Sequence, residues 1–198
     1  MKQVVLFSTI TDTNSQTILS EIFNDKIKDK VLAYMPSDGV ADSAIYIKKW
    51  RSYAQRFGAG FNVVNNHSSD EIEKVKLLDS NILLISGGNT FALLNNLCKS
   101  GLDQAVIEFT QKPNFILSGF SAGALILTPT IAICNLPNFD ENLVGITNFD
   151  GLGIIDFEVF PHYVDDLHKK IIKNYRSTTR FQVREISDED FITVSMQD

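Results

Sequence analysis

Short apolar runs rich in β-branched and aromatic residues recur along the chain, at Gln3 to Ser8, Val31 to Met35, Phe61 to Val64, Ile82 to Ser86 and Phe115 to Ser118. Runs of this length and composition predict buried strands, with helices in the intervals between them. The clearest helix covers Asp42 to Phe57, where Ala44, Ile47, Trp50, Ala54 and Phe57 return at spacings of three and four and Gly58 supplies a left-handed stop. A second runs from about Thr90 to Lys99 and is ended by Gly101. Strands this continuously apolar must be covered on both faces, so the pattern predicts an α/β fold of three layers around a mainly parallel sheet.

From Pro129 to Gly153 the rhythm lapses into Pro, Gly, Asn and Asp, which predicts loops and short antiparallel strands over a sheet edge. The pattern then resumes with a strand near Ile154 to Phe160, a helix near Asp165 to Ser177, and strands at Phe181 to Ile186 and Phe191 to Met196. No internal repeat or linker interrupts it, and residues 1–198 are expected to form a single domain.

Composition narrows the function classes. A net charge of -6 and a pI near 5.0 argue against a nucleic-acid groove, which needs a concentrated basic surface. No run approaches the roughly 18 apolar residues of a membrane span. The apolar start, Met1 to Phe7, is too short for a signal peptide and reads as the first strand. Cys98 and Cys134 show neither CxxC spacing nor a disulfide framework. A cytoplasmic enzyme without metal or organic cofactor is expected; His162, Asp165, Asp166 and His168 match no familiar metal-ligand spacing.

In open α/β sheets ligands bind beyond the carboxyl ends of the strands, which directs attention to three junctions. Gly119-Phe120-Ser121-Ala122-Gly123 follows an apolar strand and matches G-x-S-x-G, where small flanking residues permit a sharp strand-to-helix turn that exposes a serine hydroxyl. Gly87-Gly88-Asn89-Thr90 follows another strand; Asn89 or Thr90 can cap the next helix, and the Gly88 N–H can face the same pocket as the Ala122 N–H to form an oxyanion hole. His162, after a strand and Pro161, is the candidate base, since His67 sits in a polar loop and His168 on a charged helix. A Gly-rich packing turn and a satisfied histidine are the plainer alternatives.

Together these segments resemble the peptidase E family of serine peptidases, whose members carry G-G-N-T-F, G-x-S-A-G and P-H-[FY] in the order of Gly87 to Phe91, Gly119 to Gly123 and Pro161 to Tyr163 here. The resemblance spans most of the chain. It implies a class I glutamine amidotransferase-like, flavodoxin-like fold and hydrolysis of short peptides with a free N-terminus, with Ser121 as nucleophile, His162 as base, and Gly88 and Ala122 as oxyanion donors. The family's Asp before Met-Pro is replaced by Leu136 before Pro137. Ile186 to Phe191 resembles instead the G-I-D-E-D segment of cyanophycinases, which points to Glu189 as the acid, with Asp140 as runner-up and Asp188 third.

Gly87, Asn89 and Thr90 are expected to border the substrate. Arg176, fourteen residues after His162, resembles the family's specificity arginine for an N-terminal Asp, although Asn174 and Tyr175 beside it do not match. Two other readings stay open: an esterase recruiting Asp140, Asp150 or Asp156, and a non-catalytic domain that binds a small ligand on the same scaffold.

Overall fold

The computed structural model describes residues 1–196. Strands β1 (Lys2–Phe7), β2 (Val31–Met35), β3 (Gly60–Val63), β4 (Ile82–Ile85), β5 (Phe115–Phe120) and an edge strand, β8 (Phe191–Ser195), form one sheet in the order β3-β2-β4-β5-β1-β8. All neighbours are parallel except β1 and β8, which run antiparallel with Phe7 opposite Phe191.

Alternate residues of the buried strands enter two separate cores. Val4, Leu6, Ala33, Met35, Leu83, Ile85 and Leu117 face one cluster, and Val5, Phe7, Leu32, Tyr34, Ile82, Leu84 and Ile116 face the other. The period of two thus buries both faces, as three layers require. On the second face α1 (Ser15–Ile22) contributes Ile18, Leu19 and Ile22, and α3 (Ala44–Arg56) contributes Trp50 and Ala54. On the first lie Leu77 of α4 (Glu71–Leu78), the apolar face of α5 (Thr90–Ser100) and that of α6 (Leu102–Phe109).

The expected helix from Asp42 begins two residues later, at Ala44. Gly39–Asp42 is a separate turn of helix, α2, and Ser43 stands between the two pieces. Gly101, at φ 75°, ends α5 as expected and also starts α6, which the apolar spacing had not delimited.

In Pro129 to Gly153 the structure has a 3₁₀ turn at Ala132–Asn135 and one antiparallel bridge, Thr130 with Asp150, where short strands were expected. The strands expected over Ile154 to Phe160 and Phe181 to Ile186 shrink to β6 (Glu158–Phe160) and β7 (Val183–Glu185). These pair in parallel as a separate two-stranded ribbon instead of joining the main sheet. Between them runs α8 (Asp165–Arg176). No described helix is long and apolar enough to cross a membrane.

Cys134 is buried, and that burial pushes its thiol up to about 12. Cys98 is exposed on α5, its thiol also raised, first by desolvation and then by Asp103. Iodoacetamide on the folded protein is therefore expected to modify Cys98 alone, and slowly, with Cys134 reacting only after unfolding. Peptide mapping by mass spectrometry checks this, and fast labelling of Cys134 in the native state would contradict it.

Candidate active site

The turn after β5 is built by close approach. A Cβ on Gly119 would collide with the Gly123 carbonyl, and one on Gly123 with the Ile85 carbonyl of β4, so both positions exclude any side chain. Between them Ser121 adopts φ 49°, ψ -116°, an uncommon conformation for a residue with a side chain. Its N–H donates to the Phe7 carbonyl at the end of β1 (3.0 Å), which fastens the turn to the neighbouring strand. A short helix, α7 (Ala122–Leu125), starts immediately behind it.

His162 reaches this serine from the ribbon. Its backbone sits at φ 56°, held by its own N–H donating to Ser8 Oγ (2.9 Å) and by the Tyr163 N–H donating to the Ile186 carbonyl (3.0 Å). Ser8, buried at the carboxyl end of β1, in turn donates its hydroxyl proton to the Ile186 carbonyl at 2.9 Å. One hydroxyl thus joins the main sheet, the loop of the base and the strand end leading to the acidic turn. Sequence reasoning missed Ser8; its place directly after an apolar strand was the available signal.

The imidazole lies between two oxygens. His162 Nε2 is 3.0 Å from Ser121 Oγ, and Nδ1 is 2.6 Å from Asp188 Oδ1. A carboxylate on Nδ1 fixes the ring proton there and leaves Nε2 free to accept from the serine hydroxyl. Asp188 is itself placed by Asn14, whose Nδ2 donates to the carbonyls of Asp188 (2.8 Å) and Thr9 (3.1 Å).

The expected acid, Glu189, is not on the histidine. Its carboxylate accepts from the hydroxyls of Thr11 and Thr13 in the loop after β1, one residue along the turn from the group that does reach Nδ1. Asp140 is also elsewhere: its Oδ2 accepts the Thr90 N–H at the start of α5 (2.8 Å). Such a carboxylate satisfies an orphan helix donor and opposes the helix dipole.

Of the segment expected to border the substrate, Gly87 and Gly88 line a cavity with Ser121, but Asn89 and Thr90 serve the fold. Asn89 Oδ1 caps α5 by accepting the Ala92 N–H, and its Nδ2 holds the Glu141 carbonyl (2.9 Å each). Thr90 is fully buried, its side chain beside the Cys134 thiol. Arg176 pairs with Glu185 of β7 (2.6 Å) and donates to the Val183 carbonyl (2.8 Å), so it ties α8 to the ribbon.

Two cavities meet at Ser121 and His162. One, of about 210 Å³, lies between α7, the loop around Asn138, the end of β6 and α8. The other, of about 300 Å³, opens over the carboxyl ends of β1, β2 and β4. A half-buried serine at a strained strand-to-helix turn, hydrogen-bonded to a histidine that is oriented by a carboxylate, is the arrangement of a serine hydrolase.

The comparisons identify which one. The model of peptidase family S51 matches residues 4–197, and the chain belongs to that family. It is a serine peptidase. An uncharacterized peptidase of Listeria monocytogenes is 27% identical over 201 residues, covering 98% of this chain and 95% of the relative. Peptidase E of Citrobacter koseri is 29% identical over 160 residues, covering 77% of this chain and 62% of the relative. Among solved structures, a putative peptidase E from Listeria monocytogenes aligns over 100% of both chains with a TM-score of 0.75 at 24% identity. A peptidase from an acI-B1 Actinobacterium aligns over 98% of this chain and 83% of its own with a TM-score of 0.70. The fold is therefore the amidotransferase-like, flavodoxin-like α/β fold expected from the motifs.

The Ser8 hydroxyl gives a prediction independent of the triad itself. Ser8→Ala leaves the His162 N–H without its acceptor and frees the loop that aims the ring, so kcat on a peptide substrate is expected to fall about 10- to 100-fold with KM little changed. Steady-state kinetics check it, and an unaltered kcat would show that the loop holds its geometry without this bond.

Proposed function

We propose that this chain is a dipeptidase or aminopeptidase-like exopeptidase that cleaves short peptides through an acyl-enzyme on Ser121. His162 acts as base and Asp188 as the acid that orients it. The observation that carries this reading is the unbroken chain from Ser121 Oγ to His162 Nε2 (3.0 Å) and from Nδ1 to Asp188 (2.6 Å).

In this mechanism Nε2 takes the Ser121 proton as Oγ attacks the peptide carbonyl, and the imidazolium that forms faces the Asp188 carboxylate. The proton then passes to the departing amine, and a water, activated by the same nitrogen, releases the acyl group. The oxyanion is received by the Ala122 N–H, the first peptide of α7, and by the Gly88 N–H beside the serine. The first N–H groups of a helix have no intrahelical acceptor and carry its positive dipole end, which supports this assignment.

Relatives include a probable alpha-aspartyl dipeptidase of Drosophila melanogaster, 30% identical over 106 residues, and small peptides are accordingly the substrate class to test. Dipeptides and amino-acid amides with free N-termini, followed by chromatography of the released residue, should show turnover; intact proteins and N-terminally blocked peptides should not. Failure to cleave any short peptide or amide while hydrolysing simple esters would favour an esterase instead.

A further inference from the structure

The two cavities at Ser121 differ in chemistry. The smaller has Leu125, Leu136, Phe139, Phe160 and Ile171 in its walls, and its polar side chains include Asp140 and His168. His168 Nδ1 accepts the Val164 N–H (2.9 Å), so the ring proton of the neutral form sits on Nε2, and the ring lies tilted by 50° against Phe160, with centroids 4.9 Å apart. The larger cavity is bordered by serine and threonine hydroxyls and by the carboxylates of Asp38 and Asp42. Among the described residues no Lys or Arg lines either one. Arg176, the cation that counting along the chain offers, is committed to Glu185 and the Val183 carbonyl.

An N-terminal residue whose carbonyl sits at Ser121 carries two substituents on its Cα, a side chain and an ammonium group. An apolar cavity and a carboxylate-lined one, meeting at the same hydroxyl, match that pair. We propose that the smaller cavity takes an uncharged apolar side chain of leucine or phenylalanine size, that the ammonium group faces Asp38 and Asp42, and that an N-terminal aspartate is disfavoured. An apolar cavity of about 150 Å³ can hold a benzene-sized molecule, and about 210 Å³ is available here. An aspartyl carboxylate placed in it would lose its hydration next to Asp140 without meeting a cation, which is strongly unfavourable.

This inference rests on the peptidase reading above, and its test separates the two. The kcat/KM values of wild type are measured on leucine, phenylalanine and aspartate p-nitroanilides with free amino groups and on acetyl-leucine p-nitroanilide, with Ser121→Ala as control. The expected result is that leucine and phenylalanine exceed aspartate about 100-fold or more, that acetylation costs at least about tenfold, and that the control is inactive. Ile171→Arg, which adds a cation to the cavity wall, is expected to narrow or reverse the leucine-to-aspartate ratio.

Preference for aspartate, abolished in Ser121→Ala, would overturn the apolar assignment while the serine peptidase reading stood. Equal turnover of acetylated and free substrate would overturn the place given to the ammonium group. An apolar preference untouched by Ile171→Arg would overturn the choice of cavity. No turnover of any free-amino substrate would remove both readings.

Discussion

Asp188→Asn is expected to lower kcat by about 10³- to 10⁴-fold while leaving KM within a few-fold, and Glu189→Gln, one residue away, to change kcat by less than about tenfold. The asymmetry follows from the contacts. Asp188 accepts from His162 Nδ1 at 2.6 Å, and an amide there can hold the ring with the opposite nitrogen protonated, so that Nε2 no longer accepts the serine proton. Glu189 reaches the hydroxyls of Thr11 and Thr13, on the loop that also carries Asn14. Its loss acts only through the placement of that turn. Both carboxylates are exposed, which leaves room for the neutral amides to fold in the same backbone. Equal losses in the two variants would mean that the acidic turn rearranges when substrate binds.

Ser121→Ala should remove turnover to within the residual rate that binding and the oxyanion donors sustain, a loss on the order of 10⁵- to 10⁶-fold in kcat. Adding His162→Ala to it should cost little more, because the two side chains act as one unit. Stability should be unaffected or slightly improved. Ser121 is held at a positive φ by glycines packed on either side, and its role in the fold is the backbone N–H to the Phe7 carbonyl, which alanine keeps. Thermal melting alongside kinetics checks both halves of this prediction, and substantial activity in the double variant would place the nucleophile elsewhere.

Much of this was legible because it depends on local rules. The strand runs mark where both sheet faces are buried, and Gly119 and Gly123 announce a backbone approach that no other residue tolerates. What escaped depends on direction and distance. Asp188 and Glu189 are adjacent on one turn, and which of them faces His162 is decided by Asn14 holding the Asp188 carbonyl and by Thr11 and Thr13 drawing Glu189 away. None of those three partners lies near the acidic turn in sequence.

Arg176 illustrates a different failure of counting. Helix α8 starts at Asp165, three residues after His162, and at about 1.5 Å per residue its last residue lies about 16 Å along the axis from its first. That far end returns to the ribbon, where Arg176 pairs with Glu185 opposite Phe160, so counting finds a cation near the base loop and misses that an acid already holds it. Asn89 is lost to the site for a similar reason, since it caps a helix and spends both polar side-chain atoms on backbone groups.

Covalent labelling tests the central claim most directly. Wild type, Ser121→Ala and Asp188→Asn are each treated with a fluorophosphonate, followed by intact mass and peptide mapping. One adduct on Ser121 in wild type, no adduct in Ser121→Ala and labelling slowed by orders of magnitude in Asp188→Asn is the result that a Ser121–His162–Asp188 relay predicts. An adduct on another residue, or equally fast labelling of Asp188→Asn, would contradict it.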